Sequence, residues 1–224
     1  MQKQSSWQPV APSHHLRAAD NIVAGFVDGE ELALWRAADG TAQAWENRCP
    51  HRGTRLTLGR ILDGRLSCAY HGWEFTANGG RCTSIPAHPS TPAPKNLNVT
   101  TYPVLEAAGM VWVRKRAADG GEAAAPAFEE AGHFCRTLSV CATEARVTEQ
   151  LMELRFKQVA PRTWTGELAS QHCTVFLNAA SDALTFAHVW LTHRPQAPQL
   201  LAVMATLARL RERAEQPQLA GNAS

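Results

Sequence analysis

From Asn21 to about Arg116, apolar residues alternate with polar or small ones in short runs, and each run stops at residues that turn a chain: NIVAGFV before DGE, ELALWRA before ADG, then TAQAWEN. A period of two is the side-chain spacing of a half-buried strand, and Gly or Asp accepts the backbone angles of a tight reversal. The pattern resumes in LTLGRILDGRLSCAYHGWEFTANGGRC, where Asp63-Gly64 and Asn78-Gly79 mark hairpins. Pro86, Pro89, Pro92 and Pro94 then interrupt regular structure, and NVTTYPVLEAAGMVWVRK returns as one or two strands. An all-β first module is predicted.

The run AADGGEAAAPA, residues 117–127, is small and unpatterned and reads as a linker. Beyond it, TLSVCATEARV and QHCTVFLN read as strands, the second turning at AASDA into LTFAHVWLTH. In QLLAVMATLARLRER, Leu200, Val203, Met204, Leu207 and Leu210 recur at helical spacing and predict an amphipathic helix closing over a small sheet. The expected organisation is a β module over 1–116, a linker over 117–127, a small α+β domain over 128–215 and a frayed tail over 216–224. The fold class is mainly β.

Composition narrows the function. The 224 residues suit one complete module plus a smaller body, and 45% hydrophobic residues suffice for a real core. Lys+Arg 22 against Asp+Glu 20 leaves +2 without a basic run, which argues against nucleic acid as a partner. No apolar stretch approaches the roughly 20 residues that cross a bilayer, and the opening MQKQSSWQPVAPSHHL lacks a secretory apolar segment, so a cytoplasmic protein without membrane attachment is expected. In that compartment the six cysteines, Cys49, Cys68, Cys82, Cys135, Cys141 and Cys173, are expected as thiols or metal ligands rather than disulfides.

Two turns concentrate the chemistry: Cys49-Pro50-His51-Arg52-Gly53 and Cys68-Ala69-Tyr70-His71-Gly72-Trp73. The segment between them carries its own hairpin signal, so the turns can return side by side and aim two Cys and two His at one place. Two thiolates and two imidazoles satisfy tetrahedral zinc, which makes a zinc-stapled binding module one reading. Zinc fingers, however, group Cys with Cys and His with His, whereas each turn here offers one of each. That mixture suits a two-metal cluster with Cys49 and Cys68 on one iron and His51 and His71 on the other.

With CPHRG and CAYHGW, and with GGRCTSIP and EAAGMVWV further along, the chain resembles the oxygenase component of the Rieske non-haem iron oxygenases, of the aromatic-acid demethylase and phthalate dioxygenase type, over roughly Trp7 to Arg114. The resemblance implies a Rieske 2Fe-2S cluster held by Cys49, His51, Cys68 and His71 at the tip of a β-sandwich. It further implies a flavin or ferredoxin reductase as electron source, an iron-bearing oxygenase subunit as acceptor, and oligomerisation. Gly53 and Gly72 are expected to let the backbone turn closely past the cluster, Arg52 to lie on the loop surface, and Trp73 and Phe75 to serve as core or cluster cover.

Two thiolates offset the two positive charges of an oxidised cluster core, so such a centre is about neutral and accepts an electron more readily than a four-Cys cluster. The respiratory Rieske proteins that share these ligands carry a disulfide between the two loops and a Ser donor. Here Thr54, Tyr70 and Trp73 stand at those positions, which places the expected potential at the low end of about −150 to +300 mV.

The family's oxygenases also bind a mononuclear iron in a second domain, through Asp, two residues, His, four residues, His. The text that compares is Thr185-Phe186-Ala187-His188-Val189-Trp190-Leu191-Thr192-His193, with Thr185 where the Asp belongs. On a strand, residues five apart face opposite sides of the sheet. His188 and His193 are therefore expected to be ordinary strand residues, and His172 beside Cys173 and His133 near Cys135 to be structural or surface residues. The leading expectation is an electron-transfer component of an oxygenase system. Its rival is a complete small terminal oxygenase acting on an aromatic substrate, with Fe(II) on His188, His193 and a carboxylate such as Asp182.

Overall fold

In a computed structural model that describes residues 7–115 and 132–217, the chain folds as two units, Met1–Phe128 and Glu129–Ser224. The expected linker, 117–127, and the end of the expected tail, 218–224, lie outside the described residues.

The first unit runs through β1 (Gln8–Pro12), β2 (Ile22–Val27), β3 (Glu30–Arg36), β4 (Ala42–Glu46), β5 (Arg60–Leu62), β6 (Arg65–Ser67), β7 (Glu74–Thr76), β8 (Cys82–Ser84), β9 (Val104–Ala107) and β10 (Met110–Val113). They form three antiparallel sheets, ordered β1-β10-β9, β2-β3-β4 and β5-β6-β7-β8. Asp63-Gly64 closes the hairpin in which Leu62 faces Arg65, as the dipeptide predicts. Strand β1 departs from the pattern because two of its five residues are proline and its partner, β10, lies about a hundred residues away. As an edge strand it tolerates the donors that Pro9 and Pro12 lack.

Strand β3 shows what the alternation does. Leu32 and Leu34 point into one core with Val27, Val111 and Val113, while Ala33 and Trp35 point into another with Trp45, Leu66 and Phe75. Trp35 and Trp45 meet edge to face, centroids 4.9 Å apart at 85°, an arrangement that suits the ring quadrupoles. The second core also holds Cys49, Cys68 and Trp73, so the turns that carry the candidate ligands are anchored in packed aromatic and aliphatic side chains.

In the second unit, β11 (His133–Val140), β12 (Lys157–Ala160), β13 (Thr163–Leu168), β14 (Gln171–Ser181) and β15 (Leu184–Leu191) form one antiparallel sheet ordered β11-β15-β14-β13-β12. The helices are α1 (Glu144–Glu153) and α2 (Ala197–Glu215). Helix α2 is the predicted amphipathic one: Val203, Leu207 and Leu210 are buried with Val175, Leu177 and Val189 of the sheet. Burying a side chain of this size contributes about 1.5–3 kcal/mol.

Helix α1 corrects the expectation that TLSVCATEARV is one strand. The strand stops at Val140, and Thr143 caps a helix by accepting a hydrogen bond from the Arg146 amide at 3.2 Å. Val147 and Leu151, four residues apart, are its buried face, a spacing the sequence carries.

Candidate metal centre

The two turns that carry the candidate ligands are built alike. In the first, the Gly53 amide donates to the Cys49 carbonyl at 2.8 Å and the Cys49 amide to the Thr54 carbonyl at 2.8 Å. In the second, the Gly72 amide donates to the Cys68 carbonyl at 3.0 Å and the Cys68 amide to the Trp73 carbonyl at 2.9 Å. Each six-residue turn needs a residue at positive φ to close, and the sequence supplies Gly53 at 76° and Gly72 at 68°. At Gly72 a side chain would also press on Pro86, whose Cγ lies 3.1 Å from where a Cβ would sit.

Cysteines and histidines separate by depth. Cys49 and Cys68 are buried, 2% and 4% exposed. His71 is exposed and His51 half-buried. Burial pushes the Cys49 thiol up to about 11, and the adjoining Cys68 sulfur adds to the shift; the His51 and Arg52 amides, which donate toward the Cys49 sulfur, oppose it. Those amides are the kind of donor that would stabilise a metal-bound thiolate. At the surface the Nδ1 atoms of His51 and His71 lie 3.1 Å apart. Partial desolvation first, then His71 and Arg52, hold the His51 imidazole below its ordinary pKa.

The rings around the histidines differ. Trp73, from the second turn, lies flat on His51 of the first, centroids 4.1 Å apart and planes 6° from parallel. Tyr70 lies against His71 of its own turn at 3.8 Å and 31°. Trp73 is buried whereas Tyr70 is 63% exposed. Neither contact was expected beyond core or cover for Trp73; the signal available was that Trp73 occupies the turn position held by Thr54 in the other loop. Arg52 is exposed and Phe75 is buried in the core, as expected.

These donors form a buried sulfur pair and an exposed nitrogen pair, and among the described residues no three His, Cys, Asp or Glu side chains gather as a single-ion site would need. A donor set split into two unlike pairs fits a two-iron cluster better than one tetrahedral ion. All six cysteines are free thiols, so no disulfide joins the turns. Cys82 is a further thiol of the same core, its S–H directed to the Ser84 carbonyl at 3.8 Å.

In the second unit the rival trio is dispersed. Asp182 is exposed in the turn between β14 and β15, whereas His188 is buried as the fifth residue of β15, ~13 Å at strand rise from the strand's first residue, Leu184. His193 is exposed beyond the end of β15. The His188 Nδ1 lies 2.9 Å from the Thr137 Oγ1 on β11. His172 faces Glu167 at 3.3 Å on the exposed side of β14, while its neighbour Cys173 is buried and its thiol pushed up to about 12 by desolvation.

A β unit that ends in two glycine-closed turns, each presenting one Cys and one His, is a Rieske domain, and residues 6–103 match the Rieske [2Fe-2S] domain family. Over this stretch the chain is similar to Rieske oxygenase-related proteins. It is 44% identical over 108 residues to the oxidoreductase NdmD of Pseudomonas putida, covering 48% of this chain and 18% of that protein. It is 40% identical over 108 residues to the 3-chlorobenzoate-3,4-dioxygenase oxygenase subunit of Comamonas testosteroni, covering 48% and 25%. The chain thus spans a quarter or less of these relatives. In fold it resembles the structure of the Pseudomonas putida CBB5 NdmA QL mutant with theobromine, with a TM-score of 0.75 over 97% of this chain and 84% of that one, at 18% identity. No helix among the described residues is long and apolar enough to cross a membrane.

Proposed function

We propose that the chain is a one-electron carrier of an oxygenase system. Cys49 and Cys68 hold the inner iron of the 2Fe-2S cluster and His51 and His71 the outer one. When bound, the cluster takes up and releases single electrons. The chain's own residues set where that happens: the cysteines are sealed in the core, and the imidazole edge faces solvent, where a redox partner can approach. The carrying observation is the 3.1 Å approach of the two Nδ1 atoms, from turns that each also carry a buried cysteine. Electrons enter from a flavin or ferredoxin reductase and leave for a mononuclear iron on another chain, because Asp182, His188 and His193 do not converge. The same cytoplasmic system acts on aromatic compounds, as the name of the chlorobenzoate relative indicates for that protein.

The whole-chain likeness to an NdmA structure favours a second reading, a self-sufficient oxygenase whose catalytic iron sits in the second unit. Anaerobically purified protein decides between them. About two irons and two acid-labile sulfides per chain, with no product formed when reductase alone is added, are expected; a third iron together with product would overturn the carrier assignment.

A further inference from the structure

The two turns share one hydrogen-bond scheme, yet they treat their histidines differently. At the closing position the first turn has Thr54 and the second Trp73, and only the indole has a flat face to offer. That face goes to the other turn's histidine. His51 lies on Trp73 with the planes 6° from parallel, and Trp73 is rooted in the core that also holds both cysteines. His71 receives Tyr70, from its own turn and largely in solvent. Without a disulfide between the turns, the described ring contacts across them are this stack and the His51–His71 pair itself, centroids 4.7 Å apart.

We infer that Trp73 is the cross-loop clamp of the metal centre: it fixes the His51 ring plane from the opposite turn and so holds the two halves of the ligand set in register, the task a disulfide would perform. The inference rests on the ligand assignment proposed above. Trp73 touches a ligand and not the cluster's reaction partners, so it is a positioning residue. Its stack is specific to one of the two histidines, which makes the centre stiff on the His51 side and compliant on the His71 side.

The test uses the full chain, purified anaerobically with its cluster, in three variants: Trp73→Leu keeps apolar volume without a ring, Trp73→Phe keeps a ring, and Tyr70→Leu removes the other aromatic contact. Iron and sulfide content of the unmutated chain first establishes that a cluster is present, so failure of the ligand assignment is read separately. Cluster loss is then followed by visible absorbance under an iron chelator, and the reduced cluster by its EPR g-values. W73L is expected to lose cluster about two- to tenfold faster than the parent, the span of one aromatic pair, with shifted g-values; W73F recovers most of both. Y70L is expected to stay within about twofold of the parent. Parent-like lifetime and g-values in W73L, or equal effects of W73L and Y70L, overturn the clamp. Should W73L yield no folded protein, Trp73→Met, which also lacks a ring, takes its place, and parent-like lifetime and g-values in that variant overturn the clamp as well.

Discussion

Cys49 and His51 stand in a turn of the first unit, and His172 and Cys173 stand side by side in a strand of the second. Both pairs put the thiol inside and the imidazole outside. In the turn, a second copy of the same hydrogen-bonded loop brings its own Cys and His alongside, so two half-sites become one. In the strand, neighbours alternate across the sheet, and His172 meets Glu167 on its face, away from Cys173. Loops that close on themselves can be juxtaposed at their tips; a flat ladder spreads its donors over both faces. Metal-ligating residue types are therefore weak evidence on a strand and strong evidence in paired, glycine-closed turns.

The sharpest way to break this contrast is to remove one sulfur from each region. Cys49→Ser or Cys68→Ser is expected to abolish iron, sulfide and visible absorbance altogether, because one iron loses half of its protein ligands. Cys173→Ser, in a site just as buried, is expected to leave all three intact and affect only the second unit's packing. Full cluster content in C49S or C68S, measured by iron and sulfide assay, would refute the ligand pairing.

A smaller effect separates the histidines within the second unit. His188→Ala is expected to cost about 1–3 kcal/mol, through the lost contact with Thr137 and a void in a buried position. His193→Ala, at an exposed position, is expected to stay within about 0.5 kcal/mol. Denaturant unfolding measures both, and iron content is expected to be unchanged in each. Loss of iron in either variant would return a metal site to this unit.

An effect smaller than that at His188 is expected at an ion pair of the first unit. Arg36 grips Glu106 with two hydrogen bonds, 2.9 and 2.6 Å, and the guanidinium holds the Glu106 carboxyl below its ordinary pKa of 4.5. A carboxyl lowered in the folded state adds stability above 4.5 that disappears as pH falls through the lowered value. Glu106→Gln is therefore expected to reduce first-unit stability at pH 7 by no more than about 1 kcal/mol, the pair being partly screened by solvent, with the difference from the parent vanishing on acidification. A difference that persists undiminished at pH 2 in acid-series unfolding would assign the effect to packing instead.

Much of this was legible in the residues. The hairpins at Asp63-Gly64 and Asn78-Gly79 and the face of α2 follow from local backbone preference and periodicity, and the Cys and His spacing named the four candidate ligands. The turn between β12 and β13 was missed although Pro161-Arg162 sits there, with Arg162 at φ 59°. Helix α1 was missed because a β-like run flows into it without a Gly or Pro, so its cap Thr143 went unread. Strand β1 and the Trp73 stack belong to another category. Both depend on partners distant in sequence, and no local pattern reports which ring will lie on which.

The four main-chain hydrogen bonds that close the two turns involve no sulfur and no imidazole nitrogen. These bonds tie the tip together through main-chain groups alone, whereas a zinc finger is unfolded until metal arrives. Oxidative damage that strips the iron would leave behind a shaped receptacle and not a loose chain. Repair would then begin from a chain already folded at the site.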